Sequence, residues 1–431
     1  MRVRFHHLLV VATLIGPMIA GLGTMRANAQ GEVEPLKLGV LLPFTGDLSD
    51  FGPPMFNAAE LAVSEINEAG GVNGQPIEIV QGDSATAPQQ SVEEARRLIE
   101  IEGAHALVGP AASGTSQQVA ESVTGPGSIL EISPSGTSPA LTTANDNDFF
   151  FRTTISDAAQ GQVLAAVTQE QGFATACTMY LNSSYGQGLN DAFVASYEAL
   201  GGQVTAQVPH EQEQATFTSE IATCTEAQPD VLVTISYPES LGVYLREALE
   251  SGSVSNFIFS DGAKSPELFT ELGWESFAGM HGTNPGAPET DQGAAFDEAY
   301  TAAYGAPPAI PYLRESYDAV YLIALAAEKT DSVDSVAMRD ALRDLANEPG
   351  EVVNPGVEGW QAAVAALDAG TEINYEGAGG PVDLDAAGDV AKGTIVVWQI
   401  EGEAIVDVDR RDVDLTEGAA SGSPVASPTG G

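Results

Sequence analysis

From Leu36 onward the chain alternates short β-branched or apolar runs with longer stretches of helical periodicity, and this alternation restricts the fold more than any other feature. Strand, helix and strand in succession build a parallel sheet with crossover helices, so the expected class is α/β. Strands are read at Leu36 to Leu42, Ile77 to Gln81, Ala106 to Val108, Ser128 to Ile132, Ala176 to Leu181, Val204 to Val208, Val231 to Ser236, Phe257 to Ser260 and Thr394 to Ile400. Between them, Asn57 to Glu68 carries Ala58, Leu61, Ala62 and Ile66 at helical spacing and stops at Ala69-Gly70-Gly71. Ser91 to Glu100 repeats the pattern with Val92, Ala95, Leu98 and Ile99.

A length of 431 residues gives room for two or three domains, and 43% hydrophobic with 18% charged residues supports packed cores. Lys and Arg total 16 against 60 Asp and Glu, a formal charge of −44. Such a field repels phosphate backbones and anionic membrane surfaces, which excludes nucleic acid as a partner. Arg2 and Arg4 precede the apolar stretch Leu8 to Ala20, and Ala27-Asn28-Ala29 is a small-x-small cleavage signal. Residues 1–29 therefore read as a secretory signal peptide, and the protein is expected in the periplasm or outside the cell. No later stretch is apolar and long enough to span a membrane, and no Cys stands near the cleavage point for a lipid anchor.

Cys177 and Cys224 are the two cysteines. In an oxidising compartment they can pair, closing a loop of about 47 residues for about 4 kcal/mol. Each also sits beside an apolar run, so two small buried hydrophobes is the other reading, and both stay open here. Neither they nor His105, His210 and His281 have metal-site spacing.

Interruptions in the pattern divide the chain. One falls at Phe149 to Thr153, another in the Gly- and Pro-rich stretch Gly279 to Thr290, a third at Gly377 to Pro381. Three interruptions imply three crossings between two lobes. The expected parts are a first lobe from 36 to 152, a second from 153 to 279, a return segment from 280 to 378 mainly in the first lobe, a closing segment from 379 to 412 in the second, and a disordered tail from 413 to 431.

Certain residues point to a family. Leu38-Gly39-Val40-Leu41-Leu42-Pro43-Phe44-Thr45-Gly46, the run Ala59 to Gly74 ending in Gly70-Gly71-Val72-Asn73-Gly74, and Val108-Gly109-Pro110 resemble the type I periplasmic binding proteins, and within them the branched-chain amino-acid receptors of ABC importers. The resemblance runs from about Leu36 to about Val408. It implies two Rossmann-like lobes joined by three crossover segments, with a small ligand trapped in the cleft between them.

The strand ends themselves suggest a cleft. In open α/β sheets ligands sit beyond the carboxyl ends of strands, where helix starts present free N–H groups. Ser113, Gly114 and Thr115 follow the strand at Val108, at a place suited to a ligand carboxylate, although Ser113 or Thr115 is equally an ordinary helix cap. The next strand runs into Ser133-Pro134-Ser135-Gly136-Thr137, and the resemblance implies contacts from Ser135 and Thr137. It also implies that Asp261, after the apolar Phe257 to Ser260, takes a ligand ammonium. Tyr185 and Tyr237 match the family's ligand-contacting tyrosines, Phe51 an aromatic that covers the ligand, and Tyr312 a wall of the side-chain pocket. For any one of these aromatics, core packing is the alternative.

Enzyme motifs are missing: no Gly-x-Ser-x-Gly elbow, no phosphate-cradling Gly-x-x-x-x-Gly-Lys-Ser/Thr and no Gly-x-Gly-x-x-Gly after the first strand. Asp383 to Asp389 misses the EF-hand spacing and reads as a turn, while Asp407 to Asp414 reads as a solvated acidic run. The expectation is therefore a monomeric, non-catalytic solute-binding protein without cofactor, delivering a small aliphatic amino acid to an ABC permease. A sensing receptor, or a receptor for an amide, urea or aromatic acid, is the alternative.

Overall fold

A computed structural model describes residues 34–416. The expected signal peptide, and residues 417–431 of the expected tail, lie outside the described residues. Strands β1 (Lys37–Leu42), β2 (Glu78–Asp83), β3 (Ala106–Val108), β4 (Leu130–Ser133) and β5 (Phe150–Arg152) form one parallel sheet in the order β2-β1-β3-β4-β5. Helices Gly52–Glu68, Pro88–Arg96 and Ser113–Val119 supply crossovers. Alternate β1 residues face opposite ways: Leu38, Val40 and Leu42 join Ala58, Leu61 and Ala62, whereas Leu41 joins Ala95 and Leu98. Cover on both faces is why this strand reads as a continuous apolar run. Helix Gly52–Glu68 stops where expected, because Gly71 takes a φ of +80° with its α-carbon against the Gln75 carbonyl, where any Cβ would collide.

The second sheet begins with β6 (Thr175–Leu181), β7 (Gln203–His210), β8 (Val231–Ile235), β9 (Phe257–Phe259) and β10 (His281–Gly286). After an excursion containing the small strands β11 (Glu351–Val353), β12 (Ile373–Gly377) and β13 (Gly380–Pro381), the chain returns as β14 (Lys392–Glu401) and β15 (Ala404–Asp414). Its order is β15-β14-β10-β9-β8-β6-β7, with β14 antiparallel to β10. Cys177 on β6 and Cys224 on helix Thr218–Thr225 are joined in a disulfide, their α-carbons 5.6 Å apart, and both are fully buried.

The chain passes from the first sheet to the second after β5, leaves it after β10, and re-enters it before β14. Between the last two passages, helices Asp291–Tyr304 and Leu313–Thr330 pack on helix Gly52–Glu68 of the first lobe. Three boundaries differ from the sequence reading. The expected return segment starts at 280, yet His281–Gly286 is a strand inside the second sheet, between β9 and β14. Its glycine-rich sequence reads as a loop, but a Cβ on Gly282 would lie 2.2 Å from the Trp398 ring, so the glycine makes room for the indole. The expected closing segment starts at 379, yet Gly380–Pro381 pairs with Ile373–Gly377, and the strand of the second sheet starts only at Lys392. The expected tail starts at 413, yet Val413 and Asp414 pair with Gly393 and Lys392. The acidic run Asp407 to Asp414 thus belongs to an edge strand, where charge discourages further pairing.

Arg152, at the end of β5, is fully buried at the crossings. Its Nε and Nη2 each donate to Asp389 at 2.7 Å, its Nη1 to the carbonyls of Gly136 and Ser138, and its Nη2 to Thr142 Oγ1. Asp389 lies in the segment before β14, so this ion pair ties the first connection to the third. A bridge between Ile155 and Val390 reinforces the tie.

Candidate ligand cleft

Loops at the carboxyl ends of both sheets meet over a gap enclosed between the lobes. Its lining includes Phe51, Ser113 and Ser135 from the first lobe, Tyr185, Tyr237 and Asp261 from the second, and Tyr312 from the return segment. Seven of the expected residues line this one gap.

Asp261 is the electrostatic focus. It sits in a short turn after β9, 4% exposed, and its carboxylate accepts from Tyr312 at 2.6 Å, Tyr185 at 2.7 Å and Gln160 Nε2 at 3.1 Å. Tyr185 also lies 2.9 Å from Ser260 Oγ and stacks on Tyr237, ring centres 5.2 Å apart. Burial, and then the Asp261 charge, raise the titration of Tyr185, Tyr237 and Tyr312, so all three phenols stay protonated. Tyr312 holds a left-handed backbone at φ +73°, unusual for a bulky side chain, and its bond to Asp261 joins the two lobes.

A second carboxylate lies close by. Asp157, at the start of helix Asp157–Glu170, is fully buried with no hydrogen-bond partner on either carboxylate oxygen, and burial together with the Asp261 charge pushes its titration well up. Asp261 is raised as well, by burial, but three donors oppose this, so the pair keeps its negative charge on Asp261 and its proton on Asp157. Asp157 and Gln160 stand one helical turn apart, both fully buried behind the gap lining, with Gln160 Nε2 donating to Asp261 and to the Thr283 carbonyl. The sequence reading missed both, since an acid in a first turn is a common helix-start feature.

The first-lobe hydroxyls divide. Ser113 Oγ accepts from the Ser138 N–H and keeps its own proton to donate, and Ser135 Oγ donates to the Ala111 carbonyl. Thr137 is behind the lining, its buried hydroxyl without a partner beside Asp157. Thr115 and Gly114 do not line the gap. The helix begins at Ser113, so Thr115 lies in its first turn with Oγ1 turned back to the Ala112 carbonyl at 2.7 Å, and the α-carbon of Gly114 faces open space.

Direct bonds hold the lobes together around the gap. Ser138 Oγ donates to the Ser184 carbonyl at 2.7 Å, Ser265 Oγ to Asp50 at 2.9 Å and Ser240 Oγ to Asp47 at 3.3 Å. Among the described residues no group of three or more His, Cys, Asp or Glu side chains is placed to hold a metal, and no helix is long and apolar enough to cross a membrane.

The sequence profile of the periplasmic binding protein family matches residues 35–403. The chain belongs to that family. Its members are solute-binding proteins rather than enzymes, and this chain falls with the branched-chain amino-acid receptors of the type I group. It is 28% identical over 371 residues to the chemotactic signal transduction system substrate-binding protein BasB of Halobacterium salinarum, covering 84% of this chain and 86% of that one. It is 28% identical over 310 residues to a leucine-, isoleucine-, valine-, threonine- and alanine-binding protein of Pseudomonas aeruginosa, covering 72% and 82%. The fold matches that of the LivJ substrate-binding protein of Streptococcus pneumoniae, solved with isoleucine, at a TM-score of 0.72 and 22% identity over 88% of this chain and all of that one. It also matches an R. palustris solute-binding protein solved with benzoate, at 0.70 and 20% identity over 88% and 98%.

Proposed function

We propose that this protein is exported, binds a small aliphatic α-amino acid between its lobes and presents the closed form to an ABC permease. The observation that carries the reading is the placement of opposite polar ends across one gap. The Ser113 hydroxyl and the Ser135 backbone of the first lobe suit the ligand carboxylate, and Asp261 of the second suits its ammonium. A zwitterion then draws the lobes together by being held at both ends. Charge-assisted bonds in a dry cleft are worth about 1.5 to 3 kcal/mol each, and micromolar affinity corresponds to about −8.2 kcal/mol, within reach of a few such bonds with aromatic cover.

Calorimetric titration of the purified chain with amino acids, amides, urea and small aromatic acids tests this. An aliphatic amino acid binding with micromolar or better affinity is expected, and a response confined to ligands without an ammonium group defeats the assignment. A sensing role is the second reading, supported by the likeness to the chemotactic protein of Halobacterium salinarum.

A further inference from the structure

We propose that the lobes take up a proton at Asp47 as they close, so that closure is coupled to pH through a contact that lies outside the ligand gap. Asp47 follows β1 on the first lobe and is 1% exposed. One carboxylate oxygen accepts the 3.3 Å bond from Ser240, and the other is buried without a partner. The groups facing it come from the opposite lobe: Glu239 and Ser240 at the start of helix Pro238–Ser251, Glu213 ahead of helix Thr218–Thr225, and the Tyr237 phenol. No Lys, Arg or His pairs with it among the described residues. Closure therefore buries a carboxylate against one hydroxyl donor, with the exposed carboxylates of Glu239 and Glu213 adding like charge from the facing lobe.

A carboxylate so placed does not stay ionised. Burial, then Glu239 and Glu213, push Asp47 up to about 7. With the lobes apart it regains water and loses the facing glutamates, returning towards the ordinary value near 3.9. The closed form thus binds the proton more tightly, so closure is favoured as pH falls through about 7 and opposed above it. Between about pH 8 and about pH 6 the closed-to-open ratio rises about tenfold.

The test is energy transfer between dyes on the two lobes, attached through Glu100→Cys and Glu250→Cys, without ligand and in a chelator. The parent is expected to gain about tenfold in closed-to-open ratio from about pH 8 to about pH 6. Asp47→Asn, which keeps the shape and removes the titration, is expected to lose this slope and to exceed the parent's closed-to-open ratio at both pH values. Glu239→Gln is expected to retain a smaller slope with a lower midpoint. A parent distribution that is the same at both pH values, a slope that survives in Asp47→Asn, or a slope that appears only when calcium replaces the chelator overturns the proposal.

Discussion

Replacing Asp261 with Asn separates an ammonium-binding role from a purely structural one. An ionised carboxylate offers about four lone-pair sites, and Tyr312, Tyr185 and Gln160 occupy three of them. One site is left for a ligand donor, so the substitution removes a single charge-assisted bond of about 1.5 to 3 kcal/mol. At 1.4 kcal/mol per decade this weakens an α-amino acid by about tenfold to about 150-fold. Benzoate, which has a carboxylate and no ammonium, leaves the Asp261 charge unpaired and is expected to bind the variant at least as well as the parent. Calorimetry with L-leucine and benzoate on both proteins reads the difference. The reasoning is refuted if leucine binds the variant as tightly as the parent, or if both ligands weaken by the same factor, which would signal a distorted cleft.

Other expectations follow from groups already described. Ser113→Ala removes a gap-lining hydroxyl whose own proton is free to donate, so amino-acid affinity should fall about tenfold to about 150-fold, the worth of one hydrogen bond to a charged group, while urea unfolding should show a loss of about 1 to 3 kcal/mol from the Ser138 N–H left without its acceptor. Arg152→Met leaves Asp389 buried and unpaired and should cost about 3 to 5 kcal/mol in the same assay, whereas combining it with Asp389→Leu should recover most of the loss. Cys224→Ser opens a loop of 47 residues and should cost about 4 kcal/mol, a difference that disappears when parent and variant are compared in strong reductant.

The strands that carry the cleft loops were legible because both faces are covered. Val231–Ile235 is buried at every position, and such runs leave no ambiguity of type. The strand His281–Gly286 was not legible, because its composition answers to the Trp398 ring across the sheet rather than to its own backbone preference. The small strands Glu351–Val353 and Ile373–Gly377 escaped for a related reason: they are short and pair across a helix, a relation no local pattern encodes. In the cleft, Asp261, Tyr185 and Tyr312 stand out beside strand or turn signals, whereas Asp157 and Gln160 derive their character from burial and from the neighbouring carboxylate. Thr115 illustrates the opposite error, since its place in the first turn of the helix sends its hydroxyl back to the Ala112 carbonyl rather than to the gap.

The Arg152–Asp389 pair also has a mechanical consequence. With the first and third connections stapled side by side, two of the three tethers act as one post, and the freedom left to the halves is a swing about that post rather than independent twisting. Because the same guanidinium grips the Gly136 and Ser138 carbonyls, the loop bearing Ser135 and Thr137 rides rigidly with the axle. Substitutions that retune which solute is captured can then accumulate at the loop's side chains without loosening the pivot.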